Sequence, residues 1–416
     1  MNYGCIGEHL SHSFSKEIHN ALADYEYEIK ELTSEELPVF MAKKDFKAIN
    51  VTIPYKKDVI PFLYWISPEA KSIDAVNTIV NVDGKLYGYN TDYYGMKALI
   101  EREGVSLEGK KVAVLGSGGT SNTAFAVAKD MGADSVIKVS RTPKNGYVTY
   151  DELYEISSDI QIIINTTPCG MFPRIGEAAI DIEKFSKAEA VFDAVYNPLK
   201  SKLVYDAMKK GIVATGGLYM LVSQAAYAVE RFIDVPVDDD KVEKIFCKLY
   251  KDKMNIVLIG MPSCGKSSVG KTVAEMVGKS FVDADEEIVK TEGRAISDIF
   301  SIDGEGYFRA AEKKIISNLA TINSHVIATG GGAVLDRDNM DILKENGRVY
   351  FINRPLNELI STDDRPLSNS KESLEKRYNE RYSLYISSAD VVIDGSGSIE
   401  EVAKRIEADF IEYLCD

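Results

Sequence analysis

Residues Gly260-Met261-Pro262-Ser263-Cys264-Gly265-Lys266-Ser267 constrain this chain more than any other stretch. They spell GxxxxGK[ST], with the apolar run Asn255–Ile259 before them and a helical pattern after them. Such a loop turns backbone N–H groups toward phosphate. Lys266 then reaches the β/γ oxygens of ATP, and the Ser267 hydroxyl can ligate Mg2+. A strand, a loop and a helix in that order imply an α/β unit built on a parallel sheet.

A second glycine loop lies upstream. Gly116-Ser117-Gly118-Gly119-Thr120-Ser121 follows the buried-strand run Lys111–Leu115 and opens a helical pattern through Met131, with Gly132 as its C-cap. Its spacing is GxGGxx. Its glycines allow a tight turn and close approach of backbone N–H groups to a pyrophosphate at a helix N-terminus. The next strand, Ser135–Val139, ends in Ser140-Arg141-Thr142. An NAD site places Asp or Glu there, against the ribose 2′-OH. A hydroxyl and a guanidinium suit a 2′-phosphate instead, and so NADP.

Two ligand loops in 416 residues fit two to four folding units, at roughly 100–200 residues each. The net charge of −15 argues against a nucleic-acid partner, whose binding rests on phosphate neutralisation. Small anionic ligands remain open, held by local arginines or helix ends. Cys5, Cys169, Cys247, Cys264 and Cys415 form no CxxC pair and read as free thiols in a reducing cytoplasm, with no zinc site. No apolar run approaches membrane length.

Further strands are expected at Ile160–Asn165, Val191–Phe192, Ser280–Val282, Val326–Thr329, Val349–Ile352 and Val391–Ile393, and a last amphipathic helix at Ile399–Leu414. Residues 236–253 read as a charged linker with a short amphipathic stretch. Met254 directly after it is either the opening of a second unit or an ordinary core methionine.

Short polar groups recur at strand ends before the first glycine loop. They are Ser11-His12-Ser13-Phe14-Ser15, Asn50-Val51-Thr52-Ile53-Pro54-Tyr55-Lys56, Ala75-Val76-Asn77-Thr78 and Gly88-Tyr89-Asn90-Thr91-Asp92. They suit a polyhydroxylated substrate. With the glycine loop, Asn165-Thr166-Thr167-Pro168-Cys169-Gly170-Met171 and Gly217-Leu218-Tyr219-Met220-Leu221-Val222-Ser223-Gln224, their order resembles shikimate dehydrogenase over about residues 1–235. The resemblance implies a catalytic pair, Lys56 and Asp92. A lysine ammonium can protonate the alkoxide that hydride addition leaves, and a carboxylate can hold that lysine. It also implies that Ser13, Ser15, Thr52, Asn77, Asp92, Tyr196 and Gln224 bind substrate. Gly116, Ser117, Gly118, Gly119, Thr120, Ser140, Arg141 and Thr142 are implied to bind NADP, with Ala194 and Gly217 at its nicotinamide end. The chain departs from the family at Ser140, Thr166 and Gly216, where Asn, Ala and Asp are commoner.

The second half carries Phe281-Val282-Asp283-Ala284-Asp285, Gly304-Glu305-Gly306-Tyr307-Phe308-Arg309, Ala328-Thr329-Gly330-Gly331-Gly332, Arg365-Pro366-Leu367 and Arg381-Tyr382-Ser383-Leu384-Tyr385. With the Gly260–Ser267 loop these resemble shikimate kinase over about residues 254–416. The resemblance implies that Asp285, Arg309, Gly330, Gly331, Gly332 and Arg381 bind shikimate. Asp285 also takes the proton of the attacking hydroxyl, and the two arginines grip a carboxylate. Gly260 through Ser267, with Ser268, hold ATP. Ser267 and Asp283 face Mg2+. Arg365, on a lid, stabilises the transferring phosphoryl group and contacts ATP. The lid Ile360-Ser361-Thr362-Asp363-Asp364-Arg365 is shorter and more acidic than is usual in the family.

The chain is thus expected to be a bifunctional enzyme that makes shikimate with NADPH and phosphorylates it with MgATP, taking small-molecule substrates in the cytoplasm. The expected layout is a substrate lobe over 1–93, completed by a helix near 218–235, a Rossmann-like NADP lobe over 94–217, the linker 236–253, and a P-loop kinase domain over 254–416. A metabolite-sensing half would be expected to lose Lys56 or Asp92, or Lys266 with Ser267, and all four are present. Quinate or another hydroxy acid stays open as the acceptor.

Overall fold

The computed structural model describes residues 1–8, 10, 14–143, 145–359 and 371–413. The chain divides into two compact units, Met1–Leu249 and Tyr250–Asp416.

The first unit opens with β1 (Tyr3–Gly7), α1 (Ser15–Leu22), β2 (Tyr27–Glu31), α2 (Glu36–Lys43), β3 (Ala48–Val51), β4 (Trp65–Ile66), α3 (Pro68–Ile73), β5 (Thr78–Val82), β6 (Lys85–Tyr89) and α4 (Thr91–Arg102). The six strands form one sheet in the order β2-β1-β3-β5-β6-β4. It is mixed, because β5 runs antiparallel to both β3 and β6. Asp83 and Gly84, both at positive φ, close the tight β5–β6 turn. Ile6, Ile49, Val51, Val76, Ile79 and Leu86 fill the core below this sheet.

A second sheet follows, with β7 (Lys111–Leu115), α5 (Gly119–Asp130), β8 (Ser135–Val139), α6 (Tyr150–Glu155), β9 (Ile162–Asn165), β10 (Ala190–Asp193), α7 (Lys202–Lys209) and β11 (Val213–Thr215). Its order is β11-β10-β9-β7-β8, and every pairing is parallel. The continuous apolar runs Val112–Leu115 and Ile162–Ile164 are fully buried, as strands covered on both faces must be. The winding reverses between β7 and β9, where doubly wound sheets open a ligand crevice. Helix α8 (Leu218–Ile233) then returns to pack on α1, α4, β3 and β5 of the first sheet.

The charged segment expected to be a linker is mostly helix, α9 (Asp239–Lys253), and the two units divide inside it. Val242, Phe246 and Leu249 repeat at helical spacing and are buried. Phe246 meets the Tyr219 ring edge-on at 5.3 Å, and Arg102 pairs with Glu243 at 2.7 Å. The short amphipathic stretch is this helix, with its apolar stripe buried and its charges on the other face.

The second unit holds β12 (Asn255–Ile259), α10 (Lys266–Val277), β13 (Ser280–Asp283), α11 (Ala284–Glu292), α12 (Ile296–Ile302), α13 (Gly304–Ala320), β14 (His325–Ala328), α14 (Arg337–Asn346), β15 (Gly347–Asn353), α15 (Lys371–Ser388), β16 (Val391–Asp394) and α16 (Ile399–Glu412). The sheet is parallel throughout, in the order β13-β14-β12-β15-β16. Its central strand delivers the Gly260–Ser267 loop, so both ligand loops leave the carboxyl ends of buried strands.

Candidate active sites

In the first unit, Lys56 lies beyond the end of β3 and Asp92 lies in the first turn of α4. The Lys56 Nζ donates to Asp92 Oδ2 at 2.6 Å, and the two side chains are 19% and 14% exposed. The pair is therefore reachable from solvent but mostly shielded from it. Asn90 caps α4 by accepting from the Tyr93 N–H. The Asn77 Oδ1 accepts from the Thr91 N–H at 2.7 Å and from the Thr91 hydroxyl at 3.2 Å. The same hydroxyl reaches Gln224 Oε1 of α8 at 3.4 Å. Asn77 and Gln224 thus hold the turn that carries Asp92, a role not evident in the sequence.

Behind that turn, Asn50 donates to the Thr78 hydroxyl at 3.1 Å and accepts from the Tyr27 hydroxyl at 2.8 Å. The His19 ring stacks on Tyr27 at 3.9 Å, and burial holds the imidazole down at about 3, neutral through the physiological range. Burial also pushes the Cys5 thiol up to about 12, so it stays protonated beside this network. Thr52 follows β3 and Ser15 begins α1. Tyr196, beyond β10, packs against Phe14, the residue before α1, at 5.4 Å. Ser13 lies outside the described residues.

The dinucleotide loop sits where the winding reverses. Gly116 has φ 117°, and a Cβ there would lie 2.6 Å from Thr166 Oγ1 at the end of β9, so only glycine fits. Nothing lies within 4 Å of a Cβ placed on Gly118 or Gly119. No side chain caps α5, which leaves its first N–H groups for a ligand. Ser121 ties the loop down by donating to the Gly116 carbonyl at 2.7 Å. Ser140 is buried at the end of β8 and accepts from the Thr142 N–H at 3.3 Å, while Arg141 is exposed beside it. Ser117 and Thr120 flank the open glycines. A Cβ on Gly217 would fall on the Ala194 carbonyl, so these two predicted nicotinamide-end residues touch. Asp193 anchors that corner. It accepts from the Ser201 hydroxyl at 2.6 Å, the Val195 N–H at 2.9 Å and the Asn165 amide at 2.9 Å. Burial nonetheless pushes its carboxyl up to about 6.

In the second unit, Lys266 folds over its own loop, donating to the Gly260 carbonyl at 2.9 Å and the Met261 carbonyl at 3.0 Å. Ser263 and Gly265 both have positive φ, which turns the loop around its centre, and Cys264 is buried under it. Ser268 follows Ser267 in the first turn of α10. The Ser267 hydroxyl donates to Asp283 Oδ2 at 2.5 Å. A hydroxyl and a carboxylate side by side at a phosphate loop fit magnesium, which takes few protein ligands and completes its shell with phosphate and water. Among the described residues no cluster of three His, Cys, Asp or Glu side chains could hold a metal alone.

The acceptor side lies beyond β13 and β14. A Cβ on Gly330 would lie 2.8 Å from Asp285 Oδ1 and 2.7 Å from Glu312 Oε1. One on Gly331 would lie 2.9 Å from the Pro262 ring, so glycine lets this turn press against the phosphate loop. Gly332 lies under the Arg309 guanidinium. Arg309 donates to Glu312 Oε2 at 2.7 Å and to Glu305 Oε1 at 3.0 Å. Arg381 is buried and donates to the Gly331 carbonyl at 3.0 Å, which Tyr385 also holds at 2.5 Å. Glu312 is 1% exposed, its Oε1 is buried without a hydrogen-bond partner, and burial raises its carboxyl despite the neighbouring Arg309. It is absent from the residues the motifs nominate, although its position three residues after Arg309 on one helix face signals the contact. Arg365 lies outside the described residues.

Residues 5–79 match the family model of the shikimate dehydrogenase substrate binding domain, and residues 262–410 match that of shikimate kinase. A shikimate dehydrogenase (NADP(+)) of Clostridium perfringens is 39% identical over 271 residues, which is 59% of this chain and 97% of that protein. Among solved structures, a chorismate mutase/shikimate 5-dehydrogenase fusion protein from Clostridium acetobutylicum is 35% identical, with TM-score 0.56, over 59% of this chain and 96% of that one. Shikimate 5-dehydrogenase from Thermus thermophilus, solved with NADP(H) and shikimate, is 27% identical, with TM-score 0.55, over 60% of this chain and 99% of that one. The chain therefore belongs to the shikimate dehydrogenase family, and its second unit carries a shikimate kinase domain.

Proposed function

We propose that this chain carries out two successive reactions on one ring. It reduces 3-dehydroshikimate to shikimate with NADPH, then moves the γ-phosphoryl group of MgATP to the shikimate 3-hydroxyl. The observation that carries the reading is that one chain holds both a Lys56–Asp92 pair at 2.6 Å and a full phosphate loop whose Ser267 meets Asp283.

NADPH, when bound, supplies the hydride. The Lys56 ammonium delivers a proton to the alkoxide oxygen that forms and is recharged from water. Asp92 holds the ammonium in place for that transfer. Ser13, Ser15, Thr52, Asn77, Tyr196 and Gln224 hold the substrate's hydroxyls and carboxylate. Gly116 to Thr120 cradle the pyrophosphate, and Ser140, Arg141 and Thr142 meet the 2′-phosphate.

In the second unit Asp285 takes the proton of the attacking 3-hydroxyl. Arg309 and Arg381 grip the ring carboxylate. A carboxylate docking on the Nε/Nη2 edge of Arg309 would displace Glu305, which is 52% exposed, and leave buried Glu312 in place. Lys266 exchanges its two carbonyl bonds for phosphate oxygens. Ser267 and Asp283 would hold magnesium, which would supply positive charge against the triphosphate. Arg365 adds a positive charge at the transferring group.

The substrate lobe is assigned to residues 1–93 with 218–235, the NADP lobe to 94–217, and the kinase to 254–416. No helix among the described residues is long and apolar enough to cross a membrane, which supports a cytoplasmic site for both reactions. The test is a panel of shikimate, quinate and other hydroxy acids, with NADPH formation from NADP+ and ADP release from ATP read separately. Turnover with shikimate at both sites supports the reading. Preference for quinate at both would overturn it.

A further inference from the structure

We infer that Arg354 is a nucleotide-binding residue of the second unit, lying against the nucleoside half of the triphosphate; this rests on the kinase reading above. Strand order sets the directions. The phosphate loop leaves central β12, and the acceptor groups Asp285 and Gly330–Gly332 follow β13 and β14 on one side of it. In phosphoryl transfer the attacking and leaving oxygens lie roughly in line through phosphorus. The leaving diphosphate and its nucleoside are therefore directed to the other side, toward β15 and β16.

Arg354 is the first residue beyond β15. Its Nη2 donates to the Gly397 carbonyl, in the turn after β16, at 3.3 Å. Its Nε donates to Glu358 at 3.4 Å. Its Nη1 lies 3.7 Å from where a Cβ on Gly265 would stand. One guanidinium thus spans the ends of three adjacent strands, where open α/β sheets take their ligands. The turn it leans on is itself held, because Arg405 donates to the Asp394 and Ser396 carbonyls at 2.7 and 2.8 Å. The Arg354 backbone nitrogen lies close against Gly395, 2.8 Å from where a Cβ there would stand. With 26% of its side chain exposed, Arg354 is reachable from solvent. A guanidinium plane can stack on a purine, and its N–H groups can meet ribose or phosphate oxygens.

A strut that only joins loops would support phosphate and nucleoside alike, so the test separates them. Calorimetric titration of the full chain uses ADP and inorganic tripolyphosphate as probes, each with magnesium. Arg354→Ala is expected to weaken ADP about tenfold, between the values for an exposed and a desolvated guanidinium–ring contact, and to leave tripolyphosphate within about twofold. Arg354→Lys keeps the charge and loses the plane, so it should fall between. Equal weakening of both probes by either variant, or weakening of neither, overturns the assignment. Wild-type protein that bound neither would overturn the kinase reading and this inference with it. Wild-type binding without the split between probes would remove Arg354 alone.

Discussion

Replacing Asp92 by Asn removes one charge and keeps the shape. The Thr91 bonds to Asn77 and Gln224 do not involve the Asp92 side chain, so the turn should persist. What is lost is the carboxylate partner of Lys56 at 2.6 Å. A hydrogen bond between charged groups contributes roughly 1.5–3 kcal/mol, and the partial exposure of both side chains places this one inside that range and not above it. At tenfold per ~1.4 kcal/mol, the dehydrogenase kcat should fall about 10- to 150-fold. Lys56→Met removes the proton donor itself and should cost about 10²- to 10⁴-fold. The double variant is the decisive one. If Asp92 acts on the chemical step through Lys56, the pair should be no slower in kcat than Lys56→Met alone. Steady-state NADPH oxidation gives all four rates, and ADP release by the same samples, expected unchanged, checks the second unit. Losses in kcat that multiply would refute the pairing and give Asp92 chemistry of its own.

Four further outcomes are expected. Glu312→Gln should raise KM for shikimate in the kinase assay about tenfold or more, since it removes the charge that holds Arg309, while KM for ATP stays put. Equal changes in both would place Glu312 outside the acceptor site. Arg141→Ala should raise KM for NADPH far more than for NADH, and a uniform rise would refute 2′-phosphate recognition. Arg365→Ala should lower the kinase kcat at least tenfold, roughly the least expected of a phosphoryl-stabilising arginine, and spare the dehydrogenase. Unchanged ADP release would remove Arg365 from the mechanism. Asp193 titrates near 6 when folded and near 3.8 when unfolded, so the folded state binds more protons between those values and its stability falls as pH rises through them. That difference corresponds to about 3 kcal/mol. Asp193→Asn should flatten that part of the profile, read by unfolding followed through Trp65, the chain's one tryptophan. An unchanged slope would show that Asp193 does not carry it.

The phosphate loop and the core strands were legible because local pattern decides them. Lys111–Leu115, buried from Val112 on, and the half-buried edge run Ser135–Val139 are bounded by turn residues, and they form strands with those bounds. The Lys56–Asp92 ion pair was legible by resemblance, since nothing local joins Lys56 to a carboxylate 36 positions away. What the sequence hid was context. The β5–β6 hairpin makes the first sheet mixed, although helices and strands alternate elsewhere. The amphipathic stretch in residues 236–253 was legible, but not that Val242, Phe246 and Leu249 are buried as one helix face. Asn77 and Gln224 look like ligands for hydroxyls, and only the fold shows them also bracing Thr91. Glu312 had a local signal, its spacing from Arg309. Arg354 had none, because its value lies in reaching two other loops.

The most direct test is one reaction containing 3-dehydroshikimate, NADPH and MgATP with the full chain, followed by product mass. Shikimate 3-phosphate should form, with NADPH and ATP consumed in equal amounts at completion. Shikimate accumulating while ATP stays untouched would contradict the two-step account.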